Sequence, residues 1–160
     1  MMLKIFSAEY LDSLVAEAEQ SPRIRQHRNI HEGFGESCQR LLNAIGTDSY
    51  IRPHRHSLDP KAETLIAVRG QFALVSFDDA GMVMDIVLFG TERVDVALPV
   101  GVELASGTWH TIIALVAGSI LLELKAGPFN PDAAKEPAPW APEEGTQAGN
   151  AYFQRLRQMI

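Results

Sequence analysis

Pro53-His54-Arg55-His56, then Ser57-Leu58-Asp59-Pro60-Lys61-Ala62, then Glu63-Thr64-Leu65-Ile66-Ala67-Val68-Arg69-Gly70, is the stretch on which the fold of this chain turns. Side chains two apart on a β-strand share a face, so His54 and His56 can present two imidazoles to one point. Leu58-Asp59-Pro60-Lys61 predicts a turn. The chain then returns with Glu63 ahead of the apolar run Leu65 to Val68, which puts a carboxylate at the start of a neighbouring strand, level with the histidines. A third histidine, His110, opens another apolar strand in Ser106-Gly107-Thr108-Trp109-His110. Three imidazoles and a carboxylate in the mouth of a barrel form an open site for one divalent transition metal (Zn, Fe, Ni, Cu or Mn), with water or substrate in the remaining positions.

Around this stretch the pattern is β. Short apolar segments alternate with turn signals and predict strands over Gln39–Ile45, Ser49–His56, Thr64–Arg69, Gln71–Asp78, Met82–Phe89, Val94–Leu98, Gly101–Leu104, Thr108–Val116 and Ser119–Lys125. Asp79-Ala80-Gly81 and Ala117-Gly118 read as hairpin turns. Ser7 can cap a helix over Ala8–Gln20, with Leu11, Leu14, Val15 and Ala18 on one face and Ser21-Pro22 as its stop. Pro128 to Gly145 carries five prolines and predicts an extended arm that Trp140 anchors, and Gln147 to Ile160 returns to helical spacing. The expected organisation is a mainly β antiparallel barrel over residues 37–127, with residues 1–36 packed on it as a helix and a basic segment, and residues 128–160 as arm and helix, all in one structural domain.

The 160 residues are 46% hydrophobic and 21% charged, which is ordinary for a globular chain able to bury a core. The net charge of −6 argues against nucleic-acid binding, which needs clustered positive charge. One cysteine, Cys38, excludes a disulfide framework within the chain. It reads as a small core residue. No signal peptide is visible at the N-terminus, and the most apolar run, Thr111 to Leu124, is interrupted by Gly118 and Ser119, so no membrane partner and a cytoplasmic location are expected.

The order His-x-His, Glu, Gly and then Gly-x-x-His resembles the two cupin motifs, through His54, His56, Glu63 and Gly70 for the first and Gly107 and His110 for the second. The spacing from His56 to Glu63 is longer than the usual one, and Ala105 and Ala114 stand where the second motif has proline and asparagine. More narrowly, Gln39 to Ala44, Tyr50 to His56, Glu123 to Phe129 and Lys135 to Glu143 resemble the WbuC-type cupin-fold metalloproteins, over roughly Arg23 to Leu156. The resemblance implies a β jelly roll with a metal site, and an association with surface-polysaccharide gene clusters.

Several other residues are candidates for contact with an anionic small molecule. Arg52 should share a face with His54, Arg40 and Lys125 lie on or beside barrel strands, and Arg25 belongs to the basic run Arg23, Arg25, Arg28. Glu63 and Tyr50 are candidate proton carriers. His27 and His31 read as surface residues or supports for the ligands, and Trp109, one residue before an inward His110, should face away. Three functions fit: a metal-dependent isomerase, epimerase or lyase acting on an anionic sugar or small acid; a metal-dependent binding module without turnover; or an iron-dependent dioxygenase. A metal held only for structure in a dimeric scaffold is a further reading. Ile5, Phe6, Phe129 and Trp140 have few local partners, which predicts a homodimer.

Overall fold

A computed structural model describes residues 2–91 and 97–160. The element order is α1 (Ala8–Gln20), β1 (Arg25–Asn29), β2 (Cys38–Ile45), β3 (His54–Arg55), β4 (Glu63–Arg69), β5 (Gln71–Phe77), β6 (Val83–Gly90), β7 (Gly101–Leu104), β8 (Trp109–Ala114), β9 (Ser119–Ala126), a 3-10 turn (Pro131–Ala133), β10 (Glu136–Pro137) and α2 (Gln147–Arg157). Two five-stranded sheets result, one ordered β1-β2-β9-β4-β7 and the other β10-β3-β8-β5-β6. Every pairing recorded is antiparallel.

Alternation along the strands sorts each side chain by face. The inner faces meet in a core of Leu65, Phe72, Leu74, Phe89, Ile112 and Leu121 with their neighbours, and Phe72 stacks on Phe89 at 5.4 Å. Each such fully buried side chain contributes ~1.5–3 kcal/mol. The outer face of the first sheet, through Leu42, Ala44 and Ile120, is covered by Leu11, Leu14 and Ala18 of α1. The outer face of the second, through Ala73, Val75, Phe77, Trp109 and Ile113, is covered by the arm and α2, with Ala138, Ala141, Phe153 and Leu156. The core therefore fills one end of the space between the sheets, and polar residues collect at the other.

Helix α1 has the expected bounds, with the Ser7 hydroxyl accepting from the Tyr10 amide. The basic segment differs from expectation: Arg25–Asn29 is an edge strand of the first sheet, paired with Ile45 to Leu41 of β2. The expected strand over Ser49–His56 is reduced to His54–Arg55, because Pro53 breaks the ladder and the Ile51 carbonyl is taken by the Thr111 hydroxyl. Of the expected strand Val94–Leu98, residues 94–96 lie outside the described residues, and Ala97 and Leu98 are in no strand. The arm adds β10, which pairs with β3. Cys38 is exposed rather than in the core, since the position opens β2 at the sheet's end. Among the described residues, no helix is long and apolar enough to cross a membrane.

Candidate metal centre

His54 of β3 and His110 of β8 stand directly opposite each other in the second sheet, and His56 follows two residues after His54. Their ring centroids are 4.6 Å apart for His54 and His110, 5.3 Å for His54 and His56, and 5.8 Å for His56 and His110. One nitrogen of each of the three rings lies within 4.8 Å of the others, a group that could hold a metal ion. Gly107 takes a φ of +79° in the turn before His110, a conformation that a side chain would strain, and its amide donates to the His56 carbonyl at 3.1 Å. One turn thus ties the second motif to the first.

The rings are aimed by backbone carbonyls. His54 Nδ1 donates to Arg52 O at 2.9 Å, His110 Nδ1 to Thr108 O at 2.9 Å, and His56 Nδ1 to Ala134 O at 2.5 Å. A carbonyl can only accept, so each Nδ1 carries the hydrogen and each ring turns its Nε2 inward. Such a partner on the far nitrogen is what fixes a metal-binding imidazole. Burial, with the neighbouring His110 and Lys135, pushes the His54 pKa well below its usual range and keeps this ring neutral.

Glu63 completes the group from an unexpected side. It belongs to β4 of the first sheet, across the barrel from the histidines rather than on a strand beside them. Its Oε2 lies 3.2 Å from His56 Nε2 and 3.5 Å from His110 Nε2. Among the described residues, neither His56 Nε2 nor Glu63 Oε2 has a hydrogen-bond partner, although both are buried. Two acceptors facing each other in a buried place repel unless a proton or a cation lies between them. Burial alone would raise the Glu63 carboxyl. The Lys125 ammonium, 3.7 Å from Oε1, acts against burial and favours the charged carboxylate. The donor set thus fits a divalent ion.

The centre opens into a cavity of about 270 Å³ between the sheets, lined also by Arg23, Arg25, Asn43, Glu123, Lys125 and Lys135. A second chamber of about 240 Å³ adjoins it past Glu123, Lys125 and Phe129, and ends on Asn29, His31 and Phe34. Lys125 and Arg25 both line this cavity. The Arg25 guanidinium is already engaged, donating to both Glu144 oxygens at 2.7 and 2.8 Å, to the Ser49 hydroxyl and to the Tyr50 carbonyl. Three candidates stand away from the cavity. Arg52 turns outward to donate to Ala138 O at 2.9 Å, because the chain at Pro53 is not a continuous strand and alternation with His54 fails. Arg40 lies on the outer face of β2 and pairs with Glu36 at 2.7 Å. Tyr50 packs on Tyr152 and Phe153 and donates to Pro142 O. Trp109 faces away from His110, as expected, under the Arg55 guanidinium at 4.2 Å. His27 lines both chambers, and the Nδ1 of His31 accepts from the Arg40 amide.

Two cavity residues escape a reading of the sequence. Glu123 sits between inward Leu121 and Lys125, so its alternation was a usable signal. The Asn43 amide donates to its Oε1 at 3.0 Å, while burial and the nearby Glu63 charge raise its pKa to about 7. Lys135 lies in the aperiodic arm, where no pattern marks it.

Two antiparallel sheets closing over an inward three-histidine group define a cupin-fold protein. Residues 6–89 match the family described as Domain of unknown function (DUF6016), and the chain belongs to it. No curated protein matches the sequence. Among solved structures, the chain is similar to protein SO0799 from Shewanella oneidensis, at 11% identity over 79% of this chain and 82% of that one, with a TM-score of 0.59. It is also similar to KdgF from Halomonas sp., at 14% identity over 70% of this chain and 86% of that one, with a TM-score of 0.51. Oxalate decarboxylase from Bacillus subtilis shows 18% identity and a TM-score of 0.51, over 71% of this chain but only 27% of the enzyme's length. At these identities the likeness is one of fold.

Proposed function

We propose that this chain binds one divalent transition metal (Zn, Fe, Ni or Mn) through His54, His56, His110 and Glu63, and acts there on a small anionic sugar or acid. The carrying observation is the buried meeting of His56 Nε2 and Glu63 Oε2 at 3.2 Å, with no hydrogen-bond partner for either among the described residues. An ion between them would satisfy both and would supply Lewis-acid polarisation of a bound carbonyl or hydroxyl. The cavity favours action on a ligand over a purely structural ion, since it leaves room beside the donors and brings cationic side chains to its walls. Glu123 lines the same cavity and is the carboxyl left to exchange a proton with a bound ligand. Isomerisation, epimerisation or elimination of a sugar acid fits this combination, and the segments resembling WbuC-type proteins support a place in surface-polysaccharide metabolism. X-ray absorption at the metal edge of the reloaded protein tests the reading. It should report three imidazoles, one carboxylate and a further oxygen that exchanges when a small carboxylate is added. A closed shell unaffected by any carboxylate would make the ion structural.

A further inference from the structure

Four cationic side chains line the cavity beside the metal centre: Arg23, Arg25, Lys125 and Lys135. Three of them are already matched. Arg25 holds Glu144 through two hydrogen bonds, Arg23 shares the same carboxylate at 3.3 Å, and Lys125 lies 3.7 Å from Glu63. Lys135 alone has no ion pair or side-chain hydrogen bond among the described residues. It stands at the cavity mouth, one side exposed to solvent. Its place is fixed by its two neighbours. The Ala134 carbonyl takes the His56 Nδ1 hydrogen, and the Glu136 carboxylate receives two hydrogen bonds from Arg55 at 3.0 Å and one from Ser57 at 2.6 Å. Pairing of β10 with β3 holds this backbone against the strand that carries His54. The arm thus holds the backbone that brings one unmatched positive charge to the cavity of the metal centre.

We propose that Lys135 is the residue that selects a carboxylate-bearing ligand: its ammonium takes the carboxylate at the mouth, while a second oxygen of the same molecule reaches the metal centre. The proposal rests on the metal reading above. The cavity of about 270 Å³ has room for a small metabolite beside the donors. A monomeric sugar acid meets both demands, with one carboxylate and several hydroxyl oxygens.

The test uses the full chain, stripped with chelator and reloaded with zinc, in calorimetric titrations with D-glucuronate and with D-glucose, which lacks only the carboxylate. Wild type should bind glucuronate at least about tenfold more tightly than glucose, in line with a hydrogen bond to a charged group. Lys135→Gln should lose that advantage, Lys135→Arg should keep most of it, and zinc content should be equal in all three. Equal glucuronate affinity in wild type and Lys135→Gln, including binding to neither, would overturn the proposal. Failure of wild type to hold zinc would instead remove the metal reading beneath it.

Discussion

Each imidazole of the centre spends its Nδ1 on a backbone carbonyl, and among the described residues His56 Nε2 and Glu63 Oε2 are left without a partner except an ion or a proton. At the residue scale, the most sensitive neighbour is Glu123. Its carboxyl pKa of about 7 in the folded chain exceeds the unfolded value of 4.5, raised by burial and by Glu63. A raised carboxyl makes the folded state bind more protons than the unfolded one, so stability falls as pH rises from about 4.5 to 7. Glu123→Gln should therefore stabilise the metal-free protein at pH 8 by up to ~3 kcal/mol, and far less at pH 5. Thermal unfolding in chelator at the two pH values checks this. An equal effect at both would show that the carboxyl has its ordinary pKa. His54, His56 and His110 were legible because histidine spacing and strand alternation are local properties. The position of Glu63 on the opposite sheet was not, since it depends on which sheet β4 joins. Arg52 was misplaced for a related reason: alternation holds only along a continuous strand, and Pro53 interrupts this one.

At the scale of elements, the arm carries more of the site than its composition announces. Strand β10 is two residues long, yet it borders β3, and the preceding Ala134 carbonyl orients His56. Trp140 fastens the arm, packing on Phe77 with ring centroids 5.0 Å apart and on Trp109 at 6.1 Å. Gly81 lies under the same indole, where a Cβ would meet Trp140 ring carbons at 2.7 Å. Trp140→Ala should loosen the arm, and with it the carbonyl that aims His56. Metal affinity should then fall by roughly 10-fold or more, the usual cost of losing a group that orients a ligand. Competition with a chromophoric chelator measures it, and unchanged affinity would mean that the arm is not needed to hold His56 in place. Helix α1 could be read from its periodicity and cap. Strand β1 could not, because Arg25 to Asn29 has no apolar alternation, and only the cavity explains why Arg25 and His27 face inward.

At the scale of the molecule, a chain of net charge −6 still brings Arg23, Arg25, Lys125 and Lys135 to the walls of one cavity, where the proposed anionic ligand would meet them. Both outer sheet faces are covered from within the chain, and Trp140 and Phe129 have found aromatic partners in it. Leu3, Ile5 and Phe6 remain exposed ahead of α1. We therefore propose that the homodimer expected from the sequence forms through this N-terminal segment. Sedimentation should show a dimer that Ile5→Ser with Phe6→Ser converts to monomer, and a monomeric wild type at micromolar concentration would refute it. The metal centre joins the two sheets, so a bound ion also links elements far apart in sequence and should raise the unfolding temperature. The most direct test of the account is elemental analysis after chelation and reloading, of wild type beside a variant with His54, His56 and His110 all changed to Ala. The account predicts one equivalent of metal in wild type and almost none in the variant. Stoichiometric metal retained by the triple variant would contradict it.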